Sequence, residues 1–307
     1  MIRFSKYHGC GNSFVIVREK DVAGKDFSTL AEKMCCEQTG IGADGFIVVR
    51  TEPELEMVFY NRDGSRAPMC GNGIRCFARF CYDEDICTDR QFPVETLAGR
   101  MIVEAVSTEP FMARINMGKP VMDPAACGIE GEEEPFLKRT LKLDTGAGAE
   151  KRAEAGAQKC ADAGALNGSM DTGGKVPAKV EVSSIFMGTI HTVLWTKNLD
   201  RLDKETVGST IAHHPVYTEQ TNVNMVQQID RNTLKMRTYE RGVGMTLACG
   251  TGACASAVIG ILEDRCDKEV DVLLPEGKLH ISQSSSGEIF MTGPAVKVAD
   301  GTYTEEE

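Results

Sequence analysis

Apolar residues along the chain fall mostly in short β-patterned runs broken by glycine and asparagine. Runs at Phe14–Val17, Phe46–Val49, Met57–Tyr60, Met101–Val106, Val193–Thr196, Leu234–Tyr239 and Val270–Leu274 predict strands. Helical patterning is rarer. Ser28 caps a predicted helix reaching about Thr39, and Gly73–Tyr82 and Gly252–Leu262 are apolar enough for two more. The most apolar stretch, Ala253–Leu262, is about half the ~20 residues needed to cross a bilayer, so it reads as a buried helix.

The pattern repeats. Cys70-Gly71-Asn72-Gly73 and Cys249-Gly250-Thr251-Gly252 lie 249 − 70 = 179 residues apart. The same offset carries Phe59-Tyr60-Asn61-Arg62 onto Thr238-Tyr239-Glu240-Arg241, and Gly9 and Val15 onto Gly188 and Leu194. The expected architecture is α/β (α+β), a duplicated chain of two pseudo-symmetric domains. The first spans 1–118, with a boundary near Gly118-Lys119-Pro120. The second spans 119–291, and 292–307 form a strand and acidic tail returning to the first domain. Residues 128–175 break the pattern with an Ala/Gly/Lys/Glu mixture that buries little apolar surface, and are expected to be a surface insertion with a marginal helix over Ala147–Ala165. Glu305-Glu306-Glu307 reads as a frayed end.

Composition narrows the function. The 307 residues are 42% hydrophobic and 26% charged, as in a globular protein, and suffice for two cores. A net charge of −11 disfavours nucleic acid and anionic membrane as partners. Ile2-Arg3-Phe4-Ser5-Lys6 carries no signal-peptide pattern, so the twelve cysteines read as free thiols of a reducing cytoplasm. Gly40-Ile41-Gly42-Ala43-Asp44-Gly45 fits a dinucleotide fingerprint in letters only, because it precedes a strand instead of following one. For a metal, only Cys249 and Cys254 approach zinc-like spacing, at its loose limit, and no metal is expected.

The chemistry lies in the repeated cysteine. A Cys-Gly-x-Gly opening a helix puts sulfur beside unpaired N–H groups and the positive helix end, which favour thiolate and also bind a carboxylate. Two such units facing each other place one sulfur on each side of the carbon next to that carboxylate. That arrangement suits inversion of an amino-acid α-carbon without a cofactor: one thiolate removes the proton and the other thiol returns one. Cys35, Cys36, Cys76, Cys81, Cys87, Cys160, Cys254 and Cys266 show no such logic and read as core or incidental.

His8-Gly9-Cys10-Gly11-Asn12, Asn61-Arg62-Asp63-Gly64-Ser65, the two cysteine motifs and Tyr239-Glu240-Arg241-Gly242-Val243-Gly244 together resemble the diaminopimelate epimerase family. The resemblance spans nearly the whole chain outside the insertion. It implies a β-barrel-like sheet wrapped on a central helix in each domain, with the site in the cleft between them, in a cytoplasmic homodimer without cofactor. It also implies Cys70 and Cys249 as base and acid, Gly71, Asn72, Gly250 and Thr251 as the carboxylate clamp, and Asn12, Asn61, Asn224, Glu240 and Arg241 as further substrate contacts. Arginine forks onto a carboxylate and glutamate neutralises an ammonium, which suits a zwitterionic distal end. Three positions depart from the family pattern: Thr189 replaces an asparagine, Ser13 an acidic residue and Met245 a glutamate. The substrate is therefore LL-diaminopimelate or another amino acid such as histidine, and a binding or isomerase relative that does not racemise is the third reading.

Overall fold

In the computed structural model, which describes residues 1–143 and 177–305, one succession of elements occurs twice. The first half runs β1 (Ile2–Gly9), β2 (Asn12–Arg18), α1 (Phe27–Cys35), β3 (Gly45–Arg50), β4 (Glu56–Asn61), α2 (Gly71–Asp83), β5 (Gln91–Val94), β6 (Met101–Thr108) and β7 (Phe111–Asn116). After the short β8 (Arg139–Lys142), the second half begins with β9 (Lys179–Phe186), β10 (Ile190–Trp195), α3 (Lys204–Ala212), β11 (Asn222–Asp230) and β12 (Thr233–Glu240). It continues with β13 (Gly244–Thr246), α4 (Gly250–Leu262), β14 (Glu269–Leu274), β15 (Gly277–Gln283) and β16 (Ile289–Pro294), and β17 (Val296–Tyr303) closes the chain. The parallel pairs β2–β3 and β10–β11 occupy equivalent places, and α2 and α4 are equal in length and separated by the 179-residue offset.

Each long helix is surrounded by the strands of its own half. Ile74, Phe77 and Cys81 of α2 pack with Phe14, Ile16, Ile47 and Ile115. Ala253, Val258 and Ile259 of α4 pack with Val193, Val226, Met236 and Ile281. α4 is apolar on all sides, as a helix enclosed by sheet must be. Each fully buried Phe or Ile here contributes roughly 1.5–3 kcal/mol.

The sheets do not close into barrels as expected. One is an open five-stranded path, β17-β1-β2-β3-β4; the other runs β5-β6-β7-β16-β15-β14-β12-β11-β10-β9-β8, with β13 beside β12. The edge that would have closed each half on itself is used across the molecule instead, through β7–β16 and β1–β17.

Other expectations also shift. The cap of α1 is Asp26, which accepts from the Thr29 N–H at 3.1 Å, and the helix ends at Cys35 because Cys36 is extended. Ser28 instead donates to the Gly64 carbonyl at 2.7 Å and pins the turn after β4. The start of the insertion is not surface: Ile129, Phe136, Leu141 and Leu143 are buried with Tyr217 and Val223, and β8 pairs with β9. Averaged composition hid these four residues. The expected helix over Ala147–Ala165 and Cys160 lie outside the described residues, as do Glu306 and Glu307. Glu305 pairs with Lys25 at 2.5 Å. Among the described residues no helix is long and apolar enough to cross a membrane.

Candidate active site

The two sulfurs sit where the duplicated strand–turn–helix unit puts them. Cys70 caps α2 in extended geometry (φ −134°, ψ 121°) and accepts the Gly73 N–H at 3.4 Å. Cys249 occupies the N-cap position of α4 in nearly the same backbone geometry (φ −125°, ψ 108°) without a side-chain cap bond, and the Thr251 hydroxyl is 3.5 Å from its sulfur. Both helices begin two residues before the expected start, so the glycines lie in the first turn. A Cβ on Gly71 would stand 2.8 Å from Met291 Cε, and one on Gly250 would stand 3.0 Å from Met291 Sδ. One side chain of β16 therefore fits against both helix starts, and glycine is needed there for close approach.

The two halves are joined at the sulfurs. Asn72, at the start of α2, donates through Nδ2 to the Ala248 carbonyl (3.2 Å), which immediately precedes Cys249, and to Asn12 Oδ1 (3.3 Å). Asn12 Oδ1 also lies 3.9 Å from the Cys70 sulfur. At the 179-residue offset, His191 stands where Asn12 stands and Thr251 where Asn72 stands, and the bond between them is repeated: His191 Nε2 to Thr251 Oγ1, 2.9 Å. Behind it, Thr238 Oγ1 donates to Asn224 Oδ1 (3.0 Å), and Asn224 Nδ2 meets His191 Nδ1 (3.2 Å). That amide orientation makes Nδ1 the acceptor and leaves the proton on Nε2, so every donor in the line points toward Cys249. Asn224 is fully buried and acts behind Thr251, away from the cleft surface.

Burial changes the expected thiol chemistry. It pushes both the Cys70 and the Cys249 thiols up, and the nearby Glu240 carboxylate raises both further. The N–H groups of Gly73 and Asn72 oppose this at Cys70; the Thr251 hydroxyl and Gly252 N–H oppose it at Cys249. Desolvation wins over the helix ends, so both sulfurs rest as thiols. Burial also raises the Glu240 carboxyl, whose Oε1 accepts from Thr246 Oγ1 at 2.7 Å.

Burial and the Arg241 charge lower the His191 imidazole to about 3, so it is neutral at working pH. A histidine whose folded value lies below its unfolded one, about 6.5, supports the fold fully above that pH. The support is lost as pH falls toward about 3. The stability difference between wild type and His191→Gln is expected to shrink by about 2 kcal/mol from pH 7 to pH 5. Urea unfolding at the two pH values measures it, and a pH-independent difference contradicts a buried neutral imidazole.

The other candidate residues are held by partners of their own. The Arg241 guanidinium donates to the Glu219 carbonyl (2.8 Å) and to Thr189 Oγ1 (3.1 Å), and its backbone N–H to Asn222 Oδ1 (2.9 Å). Ser13 donates from N (2.7 Å) and Oγ (3.2 Å) to Asp44 Oδ2. Met245 lies opposite Tyr239 in the β12–β13 pair and packs on the α3 side of the core. Asn61 is exposed and bonds Ser65 Oγ at 2.9 Å; the register opposes it to Gly45, beside Asp44, with no bond to either thiol. Sequence reasoning gave no role to His191 or Asp44. The offset from Asn12 marks the first, and the second hides in the rejected glycine motif, where Asp44 is close enough for its charge to raise Glu240.

The family model for diaminopimelate epimerase matches residues 4–122 and 183–298. The chain is 36% identical over 309 residues to the diaminopimelate epimerase of Alkaliphilus metalliredigens, covering 98% of this chain and 97% of that protein. A phenazine biosynthesis protein of the PhzF family from Bacillus anthracis superposes with a TM-score of 0.63 at 14% identity, over 98% of both chains. A probable proline racemase from Agrobacterium radiobacter does so at 0.62 and 10% identity, over 100% of this chain and 94% of that one. At such identities the two structures establish a shared mixed α/β fold.

Proposed function

Since the chain belongs to the diaminopimelate epimerase family, we propose that this isomerase inverts one α-carbon of LL-diaminopimelate to the meso form, with Cys70 and Cys249 as paired base and acid. The observation that carries the reading is the pair of cysteine-capped helices tied together by the Asn72–Ala248 bond beside both sulfurs. The substrate carboxylate lies between the helix starts, where the N–H groups of Gly71, Asn72, Gly250 and Thr251 hold the charge that develops on it. The α-ammonium brings the positive charge that buried thiols need in order to ionise. With substrate bound, the Cys70 thiol gives its proton to solvent, and in the forward direction the resulting thiolate takes the α-proton, so the C–H bond breaks and an S–H bond forms. The Cys249 thiol gives its proton to the opposite face and becomes the thiolate. Exchange with solvent restores the starting protonation, and the reverse reaction uses the same groups with roles exchanged. No cofactor enters the scheme.

Arg241 and Glu240 serve the distal carboxylate and ammonium, a role supported by the charge each brings to that side. Thr189 holds the Arg241 fork although it replaces the family's asparagine. Thr189→Val is expected to raise KM for diaminopimelate about 3–10-fold, the worth of roughly one hydrogen bond to a charged group, and to affect kcat less. Steady-state kinetics measure the split, and an unchanged KM removes Thr189 from recognition.

The departures at Thr189, Ser13 and Met245 favour a second reading, a racemase of another amino acid by the same chemistry. Incubation in deuterated water with LL-diaminopimelate, L-histidine and other L-amino acids separates them by α-proton exchange. Exchange with diaminopimelate supports the first reading; exchange with a monoamino acid and none with diaminopimelate replaces it by the second. Exchange with none, under reducing conditions, leaves a binding relative. Cytoplasmic location and a homodimer belong to the same proposal, and light scattering tests the latter.

A further inference from the structure

Arg75, one turn into α2, is among the largest fully buried side chains, and its acceptors among the described residues are all neutral. Nε donates to the Pro294 carbonyl at the end of β16 (3.2 Å), and Nη1 to the Gly71 carbonyl (2.9 Å), with Met291 Sδ at 3.6 Å. Nη2 donates to Asn72 Oδ1 (2.9 Å). Two glycines make room for it. A Cβ on Gly9 would stand 2.8 Å from Nη2, and one on Gly293 would stand 3.0 Å from Nε. Neither needs a left-handed backbone; the guanidinium accounts for Gly9, and at Gly293 it adds to the closer Leu279 Cδ2.

Taking a guanidinium out of water costs several kcal/mol, which neutral acceptors offset only in part. What the charge achieves is visible at Asn72. A guanidinium only donates, so the Asn72 amide must turn its oxygen toward Arg75 and its nitrogen toward Ala248 and Asn12. The bond that joins the two halves beside Cys249 therefore depends on which way Arg75 makes the amide face. We propose that Arg75 is a positioning residue of the two-thiol reaction, holding Asn72 so that Cys70 and Cys249 keep their relative placement across the cleft. This rests on the reaction proposed above. The same cation lies near enough to Cys70, Cys10 and Cys254 to favour their thiolates.

Arg75→Lys retains the charge and gives up the planar fork. The variant is expected to fold, to lose 30-fold or more in kcat for LL-diaminopimelate inversion, and to change KM less than threefold. At pH 8, without substrate, the ratio of iodoacetamide reactivity at Cys70 to that at Cys249, resolved by peptide mapping, is expected to change at least threefold. A role in stability alone lowers the active fraction and leaves that ratio unmoved. A folded Arg75→Lys enzyme with the wild-type ratio and kcat overturns the proposal. If that variant does not fold, Asn72→Asp decides: it keeps an acceptor for Arg75 and loses the donor to Ala248, so the same fall in kcat is expected and a wild-type kcat overturns the assignment. A wild-type protein that inverts nothing in the amino-acid panel sinks the reaction, and the alkylation ratio alone then supports or overturns the role of Arg75.

Discussion

Replacing either Cys70 or Cys249 by serine is expected to slow α-carbon inversion by about 10³-fold or more, roughly 4 kcal/mol in the barrier. A serine hydroxyl is far harder to ionise than a thiol, and in a site where burial already raises both thiols it has no route to the alkoxide. Both changes block the same proton transfer in one of its directions. The double variant is therefore expected to be little worse than the worse single one, because groups that act as a unit are not additive. Either single variant keeps one working sulfur, so hydrogen exchange or elimination confined to one face is expected to outlast inversion. Chiral separation of the diaminopimelate isomers measures inversion and mass spectrometry measures exchange. A Cys249→Ser enzyme within tenfold of wild type ends the two-base scheme.

Gly252→Ala should run against helix propensity. In an exposed helix the change stabilises by about 1 kcal/mol. Here the new methyl lands on Asn224 Oδ1 and 3.2 Å from the Cys249 sulfur. Asn224 is itself held by Thr238 and His191, so it yields only by disturbing the line of donors that ends at Thr251. The expected cost is about 1–3 kcal/mol of stability, typical of overpacking, with a fall in kcat of about 10²-fold, as for a displaced catalytic group. The equivalent position in the first half is an internal control. A Cβ on Gly73 meets Cys70 Cβ, Ile47 and Phe14 at 3.3–3.4 Å, which asks its neighbours for a few tenths of an ångström where Gly252 would ask for more than one. Gly73→Ala is expected to lose less on both measures, and thermal unfolding with steady-state rates compares them. Equal losses at the two positions refute the role given to Asn224.

Much of this site was legible as sequence because duplication is a covalent fact. The offset between the cysteine motifs survives in the structure as two equal helices with matched caps. The apolar runs at Phe46–Val49 and Met57–Tyr60 pair as β3 and β4. What escaped depends on contacts between residues distant in sequence. α3 carries Gly208 and weak amphipathic pattern, and is held by the Asp203 cap and by Tyr239 against that glycine. Barrel closure could not be read because an edge strand does not encode whether it pairs within its own half. The helix-end effect on thiol acidity is a local feature and was legible, whereas the desolvation that outweighs it arises only from burial in the folded site.

β1 and β17 are the first and last strands of the chain, and they pair from Ile2↔Tyr303 to His8↔Val296. During synthesis, the β1 edge of the five-stranded sheet therefore stays open until β17 has left the ribosome, although α2 and most of the strands around it emerged about two hundred residues earlier. Loop closure over that separation makes this late step slow, and the waiting edge is a template for mispairing. Deleting residues from Val296 onward would leave both cysteines, both helix caps and every clamp residue in the chain. It would remove the strand that lets the first half finish folding, so such a protein is expected to accumulate as aggregate while carrying a complete set of catalytic groups.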